Sequence, residues 1–287
     1  MMDIYLSTLA FNNDIFETDK NCRKFNIGIE YSSGISHNIK NLTHFEKTSY
    51  QKLSHNYFPP PEDEFVINLA SKNEIVRKRS IDHCIHNLQI CSTNNTKFYA
   101  AHAGFCLDPS YDQLGKEIVV KSNFNREEYF KLFLISIKEI LDVAEELQVL
   151  FLIENNVLSD INFKANNYVN PFLCCDSDDI IRLFESKKSN FFGLLLDTGH
   201  LKVSSKSLSL DLLKEYNKIK KYIRAIHHSD NDGLNDSNQI ITKDYWFLDY
   251  LDEFQNLSHV IETKNMSESS IEKTLNLLKS NDKNSNI

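Results

Sequence analysis

The sequence predicts an α/β protein built as one (β/α)8 barrel, and three observations carry that expectation. Eight short apolar runs recur along the 287 residues. Segments with helical spacing alternate with them. The repeat averages about 36 residues, and eight such units suit a closed barrel of about 250 residues better than an open sheet.

The runs are DIYLSTLAF (3–11), FNIGIEYSS (25–33), SYQKLSHNYF (49–58), KFYAAHAGF (97–105), VLFLIENN (149–156), FFGLLLDTGH (191–200), YIRAIHHSD (222–230) and LSHVIETKN (257–265). Each is rich in Ile, Leu, Val, Phe or Tyr, the composition of strands covered on both faces. Between them, ASKNEIVRKRSIDHCIHNLQICS places Ile75, Ile81, Ile85 and Leu88 near one stripe. REEYFKLFLISIKEILDVAEELQ repeats Phe130, Leu134, Ile137, Leu141 and Ala144 at intervals of three or four, the period of an amphipathic helix. SDDIIRLFESKK, SLDLLKEYNKIKK and ESSIEKTLNLLK each open on a Ser or Asp cap signal, with Asp178 and Asp211 read as caps. Strands alternating with helices imply right-handed βαβ units and a parallel sheet. Glycines and prolines are few and no composition shift marks a linker, so residues 1–280 read as one domain and 281–287 as a polar tail.

Composition narrows the function. The net charge is −8, with 41% hydrophobic and 25% charged residues, which is globular material. No stretch approaches the roughly 18 consecutive apolar residues of a membrane helix. The N-terminus has no basic flank before its apolar run, so it reads as a strand and not a signal peptide. Six cysteines without paired zinc-finger spacing point to free thiols and a cytoplasmic location. The acidic balance weighs against a general nucleic-acid or anionic-membrane binder.

The sharper signal is what ends the runs. Phe151-Leu152-Ile153 leads into Glu154, Leu194-Leu195-Leu196 into Asp197, Ile226 into His227 and Val260-Ile261 into Glu262. Leu53-Ser54 leads into His55, and Tyr99-Ala100-Ala101 into His102. A parallel barrel delivers every strand's C-terminal end to one rim, where active sites form. Residues 154, 197, 227 and 262 are separated by 43, 30 and 35 positions, about one repeat each, so they should meet at the mouth. Three carboxylates gathered in a partly desolvated place require protons or a cation to compensate them. Oxygen-rich ligation with a single imidazole suits Mn²⁺, Mg²⁺ or Co²⁺, and Zn²⁺ if more histidines join. His55 and His102 are placed to hold a second ion with Glu154 bridging, and His200 faces the same mouth from the start of the following loop.

Singly, each residue has a plainer reading. One histidine on a strand is usually a hydrogen-bonded core or surface residue, and one carboxylate a helix cap or a solvated charge. For the set of four, each at unit-length spacing after an apolar run, coincidence is a poor explanation. His37, His44, His83 and His86 sit in helix or loop positions and receive no role. His259 opens a strand, on the opposite rim. Cys174-Cys175 reads as packing, since adjacent thiols chelate one ion poorly.

INLAS (67–71), a long helix, and a strand ending in HAG (102–104) resemble the endonuclease IV and xylose isomerase-like TIM-barrel superfamily. So do the strand-end Glu154, the Asp-x-x-His of 197–200, HHSDNDG (227–233) and the final-strand Glu262. The similarity runs from about residue 25 to 265. In the isomerase branch the resemblance implies that Glu154, Asp197, His227 and Glu262 hold one divalent ion. Glu154 and Glu262 would then exchange a proton with a sugar through a metal-stabilised enediolate, and His200 would hydrogen-bond a substrate oxygen. His227 is preferred to His228 because the motif places the ligand three residues before Asp230, and neighbouring strand residues face opposite ways.

In the endonuclease branch the resemblance implies three zinc ions: His55, His102 and Glu154 for the first, Glu154, Asp197, His227 and Glu262 for the second, and His200 with an Asp-x-His for the third. The Asp-x-His place here reads Asp236-Ser237-Asn238, leaving His200 and Asp236 as the third pair. The expected glycine-rich segment after it is replaced by QIITKDYWFLDYL, and basic residues do not cluster in the strand-end loops.

Two segments, 105–125 and 156–177, are long enough to act as lids. They carry Tyr111, Phe163, Tyr168 and Phe172, which would close over a substrate, and Lys116, Lys121 and Lys164, which would meet a phosphate. The sequence therefore predicts a metal-dependent sugar or sugar-phosphate isomerase or epimerase using one to three Mn²⁺, Co²⁺ or Zn²⁺ ions. The alternative is a zinc-dependent phosphodiesterase or abasic-site endonuclease. The expected partner is a small polar molecule, a carbohydrate, rather than nucleic acid or membrane, and a homo-oligomer is compatible with this reading.

Overall fold

Each apolar run contains one short strand, and the strand stops where the run meets its polar end. The computed structural model describes residues 2–120 and 123–280. The strands are β1 (Asp3–Ser7), β2 (Gly28–Tyr31), β3 (Lys52–His55), β4 (Phe98–His102), β5 (Leu150–Glu154), β6 (Phe192–Asp197), β7 (Ile223–His228) and β8 (Ser258–Ile261). All neighbours are parallel, and β8 pairs with β1, so the sheet closes into a barrel in sequence order. With its interleaved helices this is a (β/α)8 barrel. The polar tail at 281–287 and Lys121 lie outside the described residues.

The helices are α1 (Ile15–Phe25), α2 (Ile39–Lys47), α3 (Glu74–Thr93), α4 (Arg126–Leu147), α5 (Asp160–Ala165), α6 (Ser177–Ser186), α7 (Thr198–Ser207), α8 (Leu212–Ile219) and α9 (Glu268–Ser280). Short oxygen-bearing side chains accept from the first-turn amides: Asp14 for α1, Asn73 for α3, Asn125 for α4 and Asp211 for α8. For α6 the cap is Asp176 and not Asp178, which is the second residue of the helix. Several acceptors in a row leave the choice to backbone geometry, because the cap must be the residue still in an extended conformation.

Alternation along each strand divides the core. Outward residues such as Tyr99, Phe151, Leu194 and Ile226 pack with Leu88, Ile137, Leu183 and Ile219 from the helices. Inward residues Tyr5, Leu53, Phe98, Ala100, Leu152, Leu195, Ala225 and Val260 fill the barrel itself. Gly28 is needed among them, since a Cβ there would lie 2.2 Å from the Tyr5 ring. All six cysteines are buried and unpaired. Among the described residues no helix is long and apolar enough to cross a membrane.

Candidate metal centre

The inward layer of the barrel positions the site. Strand side chains alternate with a period of two, so the residue two beyond each inward apolar residue points into the mouth. Leu53 leads to His55, Ala100 to His102, Leu152 to Glu154, Leu195 to Asp197, Ala225 to His227 and Val260 to Glu262. Strand register then sets His102 beside Glu154, and Asp197 beside His227. By the same count Gly28 leads to Glu30, which the sequence reading did not single out.

One donor atom from each of Glu154, Asp197, His227 and Glu262 lies within 4.8 Å of the other three. The geometry centres on Nδ1 of His227, which is 2.8 Å from Glu262 Oε2, 3.3 Å from Glu154 Oε1 and 3.9 Å from Asp197 Oδ2. A second group adjoins it: His55 Nε2 and His102 Nε2 lie 2.8 and 3.2 Å from Glu154 Oε2. The two oxygens of Glu154 therefore face different donor sets. His228 points the other way, toward Tyr245 and His259.

Backbone groups and amides hold these side chains. Asp197 Oδ1 accepts from the His200 amide at 2.7 Å, capping α7, which leaves Oδ2 for the site. Asn155 brackets Asp197, accepting from its amide and donating to its carbonyl. Asn156 donates to the carbonyls of Ala103, Gly104 and Leu173, tying the ends of β4 and β5 together. His200 Nδ1 donates to the Asn155 carbonyl at 2.8 Å, and its Nε2 lies 3.3 Å from Asp236 Oδ2. Among the described residues no third His, Cys, Asp or Glu joins that pair to complete a further ligand set.

The charges are mutually compensated. Burial would raise Glu154, but His102, His55 and His227 around it hold it well below the usual carboxylate range. Burial also raises Glu262, and His227 outweighs it. Asp197 goes the other way: burial pushes it up, Glu262 and Glu154 add to this, and His200 opposes them only in part. Burial works against a charged His227, yet Glu262, Glu30 and Glu154 raise it well above the ordinary imidazole value. His200 is likewise raised by Asp197 and Asp236 against burial. Protons thus supply the positive charge that a cation would otherwise bring.

The residues fit a divalent cation. Glu154 Oε1 and Asp197 Oδ2 are buried side-chain oxygens without any hydrogen-bond partner, and both face His227 Nδ1. Buried polar atoms without partners are costly. Three carboxylate oxygens and one imidazole nitrogen are ordinary ligands for Mn²⁺, Co²⁺ or Zn²⁺.

A cavity of about 480 Å³ opens above this centre and is lined by His102, His200, Asn156, Asp236, Phe105 and Phe172, among others. The long segments wall it: Phe105 pairs with Phe172 across an antiparallel bridge, and Phe163 joins Ile118 and Leu158 in a small apolar cluster. Two aromatic side chains expected at the mouth are elsewhere. Tyr111 lines a separate cleft with Glu64 and Arg79, and Tyr168 is 67% exposed against Phe163. Lys164 pairs with Asp160 on the surface. Lys116 does line the cavity, together with Lys264, a residue that sequence reasoning missed although it follows Glu262 by two positions.

A closed parallel barrel with acidic and imidazole side chains gathered at its C-terminal rim defines a class, and the chain falls within it. It belongs to the xylose isomerase-like TIM barrel family, whose model matches residues 35–279. No curated protein matches the chain. Its fold is shared with a D-tagatose 3-epimerase-like protein (TM-score 0.72, 17% identity, 98% of this chain and 97% of that one). It is shared also with the 3-keto-D-glucoside 4-epimerase YcjR of E. coli (0.66, 12%, 98% and 100%) and with a zinc-bound IolI protein (0.66, 15%, 97% and 99%).

Proposed function

We propose that this chain is a divalent-metal-dependent isomerase or epimerase of a sugar or sugar derivative. The observation that carries the reading is the convergence of Glu154, Asp197, His227 and Glu262, with two buried, unpartnered oxygens, beneath a cavity of small-molecule size. The names of fold neighbours that act on keto-sugars support the substrate class. A cation held by these four residues would supply Lewis-acid polarisation of a carbonyl and its neighbouring hydroxyl. Glu154 and Glu262, arriving from β5 and from the end of β8, are the acid/base pair: one removes the proton between the two oxygens and the other returns it. His200, its Nδ1 anchored on Asn155, holds a substrate oxygen with its cavity-facing edge. Phe105 and Phe172 exclude water.

The test is solvent exchange. Metal-loaded protein should wash deuterium from D₂O into one carbon-bound position of a ketohexose or keto-glycoside, and Glu154→Gln should lower the rate by roughly 10²- to 10⁴-fold. Failure to exchange any member of such a panel overturns the reading.

The second donor group, His55 and His102 on Glu154 Oε2, favours one other function, a zinc-dependent phosphodiesterase acting at abasic sites. That reading requires two or three zinc ions per chain and nicking of an abasic duplex. Two lysines line the cavity, few for a polyanion.

A further inference from the structure

Glu30 has no part in the chemistry above, yet it is fully buried at the end of β2. Its Oε2 lies 3.0 Å from Nε2 of His227, the ring nitrogen opposite the one that faces Glu262, Glu154 and Asp197. Among the described residues no lysine or arginine pairs with it. A buried carboxylate whose charged neighbours are imidazoles alone is expensive, and an apolar residue would fill this layer of the barrel more cheaply.

We propose that Glu30 is a positioning residue that keeps the proton of His227 on Nε2 and so reserves Nδ1 for a cation. A carboxylate only accepts hydrogen bonds, and a neutral imidazole carries a single N–H. With the proton on Nε2, the ring donates to Glu30 and presents the Nδ1 lone pair to the place where three carboxylate oxygens also converge. With the proton on Nδ1, the Nε2 lone pair would face the Glu30 carboxylate directly, which is repulsive and leaves a buried acceptor without a donor. Glu30 therefore selects the ligating tautomer, fixes the ring plane and raises the basicity of Nδ1. This inference rests on the cation of the proposed function and on no other part of it.

The experiment uses the full-length, zinc-loaded protein labelled with ¹⁵N-histidine. Long-range ¹H–¹⁵N correlations, assigned against His227→Gln, should show His227 protonated at Nε2 only. Zinc affinity, measured by competition with a chelator, should weaken roughly 10- to 100-fold in Glu30→Gln. A packing role alone would lower the melting temperature of the zinc-free variant and leave both readouts unmoved, and that result overturns the proposal. So does a His227 protonated at Nδ1, or one without a proton on Nε2 because Glu30, His55 and His227 themselves hold an ion. Where Glu30→Gln does not fold, Glu30→Asp takes its place: its shorter side chain draws the carboxylate away from Nε2, and a zinc affinity equal to that of wild type overturns the proposal. Zinc bound with the expected tautomer, but no solvent exchange on any keto-sugar, retires the isomerase reading and keeps Glu30 in place. Exchange with unchanged zinc affinity in Glu30→Gln does the reverse.

Discussion

Asp197 meets two demands with one side chain. Oδ1 caps α7 on the His200 amide, while Oδ2 is left buried and unpartnered at the centre of the site. Asparagine caps a helix as well as aspartate does but carries no charge. Asp197→Asn should therefore keep the metal-free protein at least as stable as wild type, because a repulsive buried carboxylate has gone. It should also lose bound metal. Thermal melting in excess chelator, with metal content by elemental analysis, checks both halves.

His83 gives a separate test at this scale. Burial lowers its pKa to about 4, while Nε2 hydrogen-bonds the Asn56 carbonyl. The unfolded chain therefore takes up a proton at higher pH than the folded chain does. Stability from this residue is complete above its ordinary value and is lost as pH falls toward 4. Between pH 7.5 and 4.5 the loss should amount to roughly 2–3 kcal/mol. It is read as the difference between the urea-stability slopes of wild type and His83→Gln, since His227 and His200 contribute with the opposite sign. Equal slopes would show that His83 remains accessible to protons in the folded state.

Between elements, the 116–120 stretch of the cavity wall is tied down by side chains rather than by strand pairing. Asn162 and Asn166, one turn apart at the end of α5, face the backbone of residues 116–120. Asn162 Oδ1 accepts from the Ile118 amide, and Asn166 accepts from Val120 and donates to the Ile118 carbonyl, each at 2.7 Å. Asn166→Ala removes two of these bonds, about 2 kcal/mol at roughly 1 kcal/mol each. Amide hydrogen exchange of residues 116–120 should quicken about 30-fold while the barrel strands keep their protection. Uniform acceleration across the chain would mean that α5 supports the whole fold and not this wall.

Across the whole molecule, the barrel tolerates a frustrated centre because the remaining core is large and apolar. Binding a cation should relieve that frustration and appear as stability. Zinc at about 100 times its dissociation constant should add about 2.7 kcal/mol to the free energy of unfolding. Chelator should remove the same amount, which melting curves at several zinc concentrations measure directly.

Much of this was legible in the sequence. All eight strands lie inside the apolar runs, and His55, His102, Glu154, Asp197, His227 and Glu262 come together as the spacing implied. They were visible because each ends an apolar run. Glu30 was not, because Tyr31 follows it and packs outward, so its run shows no polar end there. Tyr111 and Lys164 misled because a loop's length says nothing about which of its side chains turn inward. What the sequence determined alone was strand order, which follows from strands alternating with helices along the chain, and the opposite facing of neighbouring strand residues, which follows from a local period of two. Which nitrogen of His227 meets which carboxylate depended on register between strands, with Glu30 and His227 197 residues apart. Only the closed barrel decides that, because ring orientation is set by neighbours brought together in space and not by the chain on either side.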